Sequence, residues 1–242
     1  MDGDVDIASV AAAIGHPARG RMLLEMLGGR ALPATDLARA ARVSRSTASA
    51  HLAQLTAAGL VAVERRGRHR YHRLAGPAVA DAIEGLAAIA PAQPVRSLGE
   101  GNRATAHRAA RSCYDHLAGA LGVAVTDGLC AAGGLERDTL VFRDRDPFAA
   151  LGVDLDALGQ GRRPLTRSCL DWSERRPHLA GRLGAAVLHT LFDAGWVVRR
   201  SSGGRAVAVT PRGVAGLGEV LGIDVAAAAP HAVERGTLRR VA

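Results

Sequence analysis

One stretch, from Leu37 to Arg73, constrains the fold more than any other part of this sequence. Within it, Ser44 is a predicted helix N-cap, apolar residues recur at helical spacing from Ala48 to Leu55, and Gly59 follows as a stop signal. Hydrogen-bonding groups near a helix N-terminus suit a helix that lies in the DNA major groove, but an ordinary solvated helix has the same pattern. The polar face carries Arg45, Ser46, Thr47, Ser49, His51 and Gln54.

The flanks of this helix favour DNA binding. Residues 34–41 form a second predicted helix, and Arg42 and Val43 make the tight turn of a helix-turn-helix. Residues 60–74 alternate around a glycine turn, as the two strands of a hairpin do. Residues 42–75 contain seven Arg and one Glu, so this segment carries +6 of the chain's net charge of +8. Positive charge clustered on one helix and one hairpin predicts a phosphate-binding surface.

These residues resemble the winged helix-turn-helix of the ArsR/SmtB transcriptional repressors over roughly residues 5–90. The resemblance lies in Val43–Leu52, Ala58–Val61, Arg65–Arg68 and Tyr71–Leu74. It implies a homodimer that binds a double-stranded DNA operator and is released by an inducer. It also implies that helix side chains face the major groove and that hairpin arginines meet the adjacent backbone or the minor groove. These side chains would be Ser46, Thr47, Ser49 and His51 on the helix, and Arg65, Arg66, Arg68 and Arg70 on the hairpin.

The metal sites of that family do not carry over to the N-terminal part. The expected cysteine-containing box reads Thr35–Arg39, and the predicted helix at Gly76–Ile89 offers Asp81 and Glu84 but no histidine. Any inducer is therefore expected to bind elsewhere in the chain.

The 242 residues allow two small domains. Residues 1–90 are the predicted winged helix-turn-helix, 91–104 a linker, 105–226 a sensor or dimerisation domain, and 227–242 a tail. No apolar run approaches the ~18 residues of a membrane span, and no charged-then-apolar leader opens the chain, so we expect a cytoplasmic protein without a membrane partner. Every basic residue is Arg, so only the clustering of arginines indicates DNA binding.

An internal repeat occupies the C-terminal half. Arg111–Val125 returns as Arg167–Val187, and the two copies span about residues 111–155 and 167–225. The second copy is predicted to be a degenerate winged helix whose helix, from His178 to Leu191, lacks a polar recognition face. The predicted fold is thus mainly α with small β-hairpin wings: an N-terminal winged helix-turn-helix plus a C-terminal tandem degenerate winged-helix-like repeat. This arrangement is similar to a subgroup of long ArsR-type regulators.

The repeat places two cysteines and two histidines in matching positions. Cys113 and His116 are three residues apart and are expected on one face of a helix, and Cys169 and His178 are the related pair. Two thiolates and two imidazoles form an acceptable tetrahedral ligand set for zinc or another thiophilic metal ion. A reversible thiol switch, plain packing and a small apolar-ligand pocket remain alternative interpretations.

The predicted function is a sequence-specific DNA-binding regulator, an inducer-released homodimeric repressor that senses through its C-terminal domain. One alternative is an inducer-free architectural or partner-recruiting DNA-binding protein, which would have little sequence preference. No nucleotide-binding glycine pattern follows a strand and no Gly-x-Ser-x-Gly motif occurs, so an enzyme is not expected. An enzyme built on the Cys/His/Asp set would have to turn over a substrate.

Overall fold

The computed structural model describes residues 4–91, 94–200 and 204–234. They form two compact units, Met1–Leu86 and Ala87–Ala242. The first unit contains four helices and three strands within the described residues, and a fifth helix begins in it and ends in the second unit. The bounds are α1 Ile7–Ile14, α2 Pro17–Met26, β1 Leu32–Pro33, α3 Ala34–Ala41, α4 Arg45–Ala57, β2 Val61–Arg66, β3 His69–Leu74 and α5 Pro77–Ile89.

Helices α3 and α4 form the predicted helix-turn-helix. The turn between them passes through Arg42, whose backbone φ is 58°. The Ser44 hydroxyl caps α4 by accepting a hydrogen bond from the Thr47 N–H at 3.1 Å, which satisfies a backbone donor that the first helical turn leaves open. The helix stops ahead of Gly59, whose φ of 70° is the left-handed conformation that favours glycine. The start and stop signals in the sequence are confirmed.

A hairpin and a small core complete the winged helix-turn-helix. Strand β2 pairs antiparallel with β3, and β1 adds a short third strand on the other side of β3. Met22, Leu37, Leu55 and Leu74 come from α2, α3, α4 and β3 and are almost completely buried. Full burial of each such side chain contributes about 1.5–3 kcal/mol, which holds α4 and the hairpin in place against the supporting helices.

The second unit combines helices with three two-stranded antiparallel sheets in the part that the structure describes. Its core joins leucines and valines of several elements around Phe148, which is fully buried. No helix among the described residues of either unit is long and apolar enough to cross a membrane. The bounds are α6 Leu98–Ala109, β4 Arg111–Cys113, β5 His116–Ala118, α7 Ala120–Ala131, α8 Asp146–Ala150, β6 Arg167–Leu170, β7 Pro177–Ala180, α9 Gly181–Asp193, β8 Val197–Arg199, β9 Val207–Val209, α10 Pro211–Leu221 and α11 Val225–Ala228.

The cysteine and histidine pairs lie on strands, and this corrects the sequence interpretation. Cys113 and His116 were expected on one helix face, but they are direct partners across the β4–β5 hairpin. His178 was expected at a helix start, but it lies on β7, and α9 begins only at Gly181. A tight turn brings residues i and i+3 together as a helix does, so spacing alone did not distinguish the two.

The order of elements is similar in the two halves of this unit. The β4–β5 hairpin leads into α7, and β6–β7 leads into α9. An antiparallel bridge between Leu135 and Phe142 then precedes α8, and the β8–β9 pair precedes α10. The tandem winged-helix-like repeat itself stays a prediction.

Helix α6 begins inside the segment predicted as the linker 91–104. Ser97 caps it by accepting a hydrogen bond from the Glu100 N–H at 3.2 Å, and the Glu100 carboxylate accepts one from the Arg96 N–H at 2.8 Å. A serine followed three residues later by a glutamate is the sequence signature of a capping box, a signal that the linker prediction overlooked. Here the carboxylate reaches the N–H of Arg96, one residue before the cap.

The first part of the predicted tail 227–242 belongs to the folded unit. Helix α11 extends to Ala228, and Ala229 and Ala232 are completely buried. The remainder, residues 235–242, lies outside the described residues.

Candidate DNA interface and candidate metal centre

The N-terminal turns of α4 present an exposed polar face, here called the recognition face: Arg45, Ser46, Thr47 and Ser49. The hydroxyls of Ser46 and Thr47 lie 2.9 and 2.8 Å from the Ser44 hydroxyl, and the Ser49 hydroxyl donates to the Arg45 carbonyl at 3.0 Å. These local bonds orient short side chains that can donate or accept a hydrogen bond. Such a face can meet base edges in a major groove.

The other two residues of α4 that were predicted to contact DNA, His51 and Gln54, contact residues of the same chain instead. The His51 ring is half-buried against His16, with 4.3 Å between the ring centroids. Its Nδ1 is buried and has no hydrogen-bond partner among the described residues. The Gln54 Oε1 accepts a hydrogen bond from the Arg19 Nη1 at 2.7 Å. Both side chains therefore contact the start of α2. The polar surface of α4 that is left to contact DNA is narrower than the sequence predicted.

The hairpin arginines divide into two groups. Arg66 and Arg73 both donate to the Glu64 carboxylate, and these hydrogen bonds, that of Arg73 first, hold the pKa of Glu64 below its ordinary value. The wing arginines Arg65, Arg68 and Arg70 are exposed and have no carboxylate partner among the described residues.

Arg65 and Arg70 are also direct partners across β2 and β3. Like charges in that position repel each other and destabilise a hairpin unless an anion lies between them. The wing arginines therefore form the part of the hairpin best suited to bind phosphate.

In the second unit, the Cys/His cluster consists of Cys113, His116, Cys169 and His178. Cys113 pairs with His116 across β4–β5, and Cys169 pairs with His178 across β6–β7. The four candidate ligand atoms all lie within 4.8 Å of one another, and the two histidine Nε2 atoms are 3.1 Å apart. The side chains are 0–6% exposed. The structure thus brings together the four residues that the repeat predicted.

Two carboxylates lie behind the histidines of the cluster. The His116 Nδ1 is 3.5 Å from the Asp115 Oδ1, and the His178 Nδ1 is 3.8 Å from the Asp171 Oδ2. Burial, and then the neighbouring His116, lower the pKa of His178 to about 3. A neutral imidazole is the form that binds a metal ion.

Asp171 joins the two halves of the C-terminal unit. Its Oδ2 accepts hydrogen bonds from the Arg111 guanidinium at 2.8 Å and from the Gly119 N–H at 2.7 Å. Its Oδ1 accepts from the Ser173 hydroxyl at 2.7 Å. Burial alone would raise the pKa of Asp171, but the Arg111 charge and these hydrogen bonds hold that pKa well below its usual range. The ion pair was not predicted, because nothing in the amino-acid sequence indicates that Arg111 is completely buried.

Known proteins are similar to this chain in sequence and in fold. The model of a helix-turn-helix domain family matches residues 14–64. The uncharacterized HTH-type transcriptional regulator YdfF of Bacillus subtilis (strain 168) is 40% identical over 212 residues, which cover 86% of this chain and 93% of that protein.

Two solved structures are similar over about the first third of the chain. One is the homodimeric winged helix-turn-helix DNA-binding domain of a possible ArsR-family regulator from Mycobacterium bovis, with 30% identity, 36% of this chain and 86% of that chain covered, and a TM-score of 0.31. The other is the cadmium sensor CMTR from Mycobacterium tuberculosis, with 30% identity, 38% of this chain and 99% of that chain covered, and a TM-score of 0.31.

Proposed function

Since the chain belongs to the HTH-type transcriptional regulators, we propose that it is a homodimeric repressor of the ArsR type that binds one operator. Each subunit inserts the recognition face of α4 into a major groove, and the wing arginines contact the neighbouring phosphates or the minor groove. One observation carries this proposal: unpartnered exposed arginines of the wing lie in the same unit as an exposed polar helix N-terminus.

Exposed apolar side chains on α1 support the proposed dimer. Every residue of α1 is exposed or half-buried, although its sequence is almost wholly apolar. Ile7 is 71% exposed and Val10 is 41% exposed. An amphipathic surface helix normally turns its apolar face toward a core, so a second copy of this chain is the expected cover for α1.

We also propose that the C-terminal unit, as a tandem repeat, holds the site of an inducer whose binding lowers operator affinity. A regulator, and not an enzyme, is the function that these features support, and the cytoplasm is its proposed location. The Cys/His cluster is proposed to bind zinc or another thiophilic metal ion, since two thiols and two imidazoles meet there within 4.8 Å.

The DNA-binding part is tested by selecting sites from random DNA with the full-length protein. We expect one palindromic sequence, from which transcription in vitro falls when the protein is added. Little sequence preference with a steep salt dependence would instead support the architectural alternative.

Two substitutions test the assigned contacts. Arg68→Ala should weaken binding to every sequence and reduce the slope of log affinity against log salt by about 1, whereas Ser46→Ala should relax the preference at one base position. Arg145→Ala, at an exposed arginine of the C-terminal unit, is the matched control and should change neither quantity. Equal effects of Arg68→Ala and Arg145→Ala in filter-binding titrations would exclude the wing as the phosphate contact.

A further inference from the structure

We propose that the Cys/His cluster is a closed structural zinc site that fastens together the two halves of the C-terminal unit, and that its ion is not the inducer. This inference rests on the metal binding proposed above and adds the identity, the role and the supporting residues of the site. Each half supplies one cysteine and its cross-strand histidine, from the β4–β5 hairpin and from the β6–β7 hairpin.

The separations fit a single tetrahedral ion. Zinc bonds of about 2.0–2.3 Å place the ligand atoms of a tetrahedron roughly 3.3–3.8 Å apart. The four ligand atoms lie within 4.8 Å of one another, and the closest histidine nitrogens are 3.1 Å apart. The longest of these separations therefore exceeds the tetrahedral value by about 1 Å at most.

The arrangement of the two histidine rings also suits a cation between them. Each Nδ1 faces a carboxylate, Asp115 at 3.5 Å and Asp171 at 3.8 Å. Neither Nδ1 has a hydrogen-bond partner among the described residues. When both rings bind one ion through Nε2, each Nδ1 keeps its hydrogen and the neighbouring carboxylate can accept it. At 3.1 Å the two Nε2 atoms need a positive group between them, which is either one shared hydrogen or a metal ion.

The two carboxylates are held in place by cationic partners. Arg111 and the Gly119 N–H hold Asp171 by hydrogen bonds to its Oδ2. Arg163 donates to both oxygens of Asp115. Asp115 and Asp171 are therefore positioning residues, which fix the rings so that Nε2 faces the ion.

Burial assigns the ion a structural role. The four ligands are 0–6% exposed, and four protein ligands fill a tetrahedral zinc ion completely. No coordination position remains for water or a small molecule, and a buried ion exchanges slowly. Two thiolates with two imidazoles suit zinc better than the hard cations that prefer oxygen ligands.

The test uses the full-length protein, as purified and after removal of metal in chelator with mild denaturant. Both tryptophans, Trp172 and Trp196, lie in the C-terminal unit, so their fluorescence reports its unfolding. We expect one zinc per chain, and a fluorescence-detected unfolding midpoint that is lower by ~10 °C or more without zinc. Operator affinity below the unfolding midpoint should change less than twofold between zinc-loaded and zinc-free protein.

Matched variants connect the ion to the cluster. Cys169→Ser and His178→Asn should lose the zinc, while Cys130→Ser and His189→Asn, at positions outside the cluster, should retain it. Cobalt(II) in place of zinc should give the visible absorption of a tetrahedral site with thiolate ligands. Asp115→Asn should lower zinc affinity roughly 10–100-fold in competition with a chromophoric chelator and alter the cobalt spectrum, whereas Asp156→Asn, an exposed aspartate, should do neither.

The outcomes separate this inference from the proposals it rests on. Zinc that a chelator withdraws from the folded protein within seconds, with a tenfold or larger change in operator affinity, would make the ion the inducer and overturn the structural role. A folded chain that takes up neither zinc nor cobalt would overturn the metal site itself and indicate a proton shared by the two rings. If zinc-loaded, fully folded protein did not bind any operator, only the proposed repressor function would be refuted, and the structural zinc site would stand.

Discussion

Arg111 is a completely buried arginine whose charge is balanced by one buried carboxylate. Its Nη2 donates to the Asp171 Oδ2 at 2.8 Å, and the guanidinium lies 4.5 Å from the centre of the Trp172 ring. Both side chains of the ion pair are 0% exposed. Removing one partner of such a pair leaves an uncompensated buried charge. Arg111→Met should therefore destabilise the C-terminal unit by about 3–5 kcal/mol in denaturant unfolding followed by tryptophan fluorescence.

An exposed ion pair of the same unit provides the control. Arg145 and Asp156 are 58% and 86% exposed, so Arg145→Met should cost less than ~1 kcal/mol. The double variant Arg111→Met/Asp171→Asn removes both buried charges but keeps an amide oxygen for the hydrogen bond from the Gly119 N–H, so it should lose less stability than Arg111→Met alone. If Arg111→Met and Arg145→Met were equally mild, Arg111 would have access to water.

At the residue scale, the sequence predicted the four residues of the Cys/His cluster but not the residues that surround and hold them. The repeated Arg-Ser-Cys motif placed Cys113 and Cys169 in equivalent positions. The arginines of that motif differ in the structure, since Arg111 is buried and Arg167 is only half-buried. Identical letters in the two copies therefore did not reveal which arginine forms the internal ion pair, because burial depends on contacts between distant segments.

At the element scale, predictions succeeded where the signals were local. The cap at Ser44 and the glycine after α4 act within a few residues of their own positions. The hairpin at Cys113 has a two-residue turn through Tyr114, whose φ is 55°. Its three-residue spacing also fits a helix, and pairing with distant segments decides between the two. For that reason β4 and β5 were missed.

Helix α10 offers a test of close packing between elements. A Cβ on Gly213 would lie 2.0 Å from the carbonyl oxygen of Trp196, whose backbone cannot move without disturbing β8. Gly213→Ala should therefore destabilise the unit by at least about 1–3 kcal/mol, the usual range for overpacking. Thermal unfolding followed by circular dichroism measures this loss.

Gly218 on the same helix is the matched control. The nearest atom to a Cβ there would be the Ile223 carbonyl oxygen at 3.6 Å, an ordinary contact. Gly218→Ala should be neutral or stabilise the unit by up to ~1 kcal/mol through helix propensity. Equal destabilisation by the two substitutions would mean that helix propensity, and not the contact with Trp196, governs both positions.

At the scale of the whole molecule, charge and burial are divided between the two units. The N-terminal unit holds the clustered wing arginines and the exposed recognition face, whereas the C-terminal unit buries the thiols and imidazoles of the Cys/His cluster and an ion pair. The proposed DNA-binding surface consists of exposed residues that are close together in the sequence, so the sequence alone predicted its outline. The Cys/His cluster is built from two hairpins that are far apart in the sequence. It was predicted only because the internal repeat places a cysteine and a histidine at matching positions in both copies.

The proposed dimer gives the last prediction, because two recognition faces must act together on a palindrome. Ile7→Glu places a charge at a position of α1 that is 71% exposed in the single chain. Burying that charge in an apolar interface is costly, so light scattering should find monomers at concentrations where the unsubstituted protein is dimeric. Affinity for a palindromic operator should then fall to about that for one half-site, since linkage of the two sites is lost.

Val141→Glu is the control for this substitution, at an apolar residue of the C-terminal unit that is 46% exposed. It should leave both the dimer and operator affinity unchanged. If the Ile7→Glu protein stayed dimeric and bound the palindrome normally, α1 would not be the interface. The two recognition faces would then have to be joined through another surface, and the spacing of the half-sites would be set there.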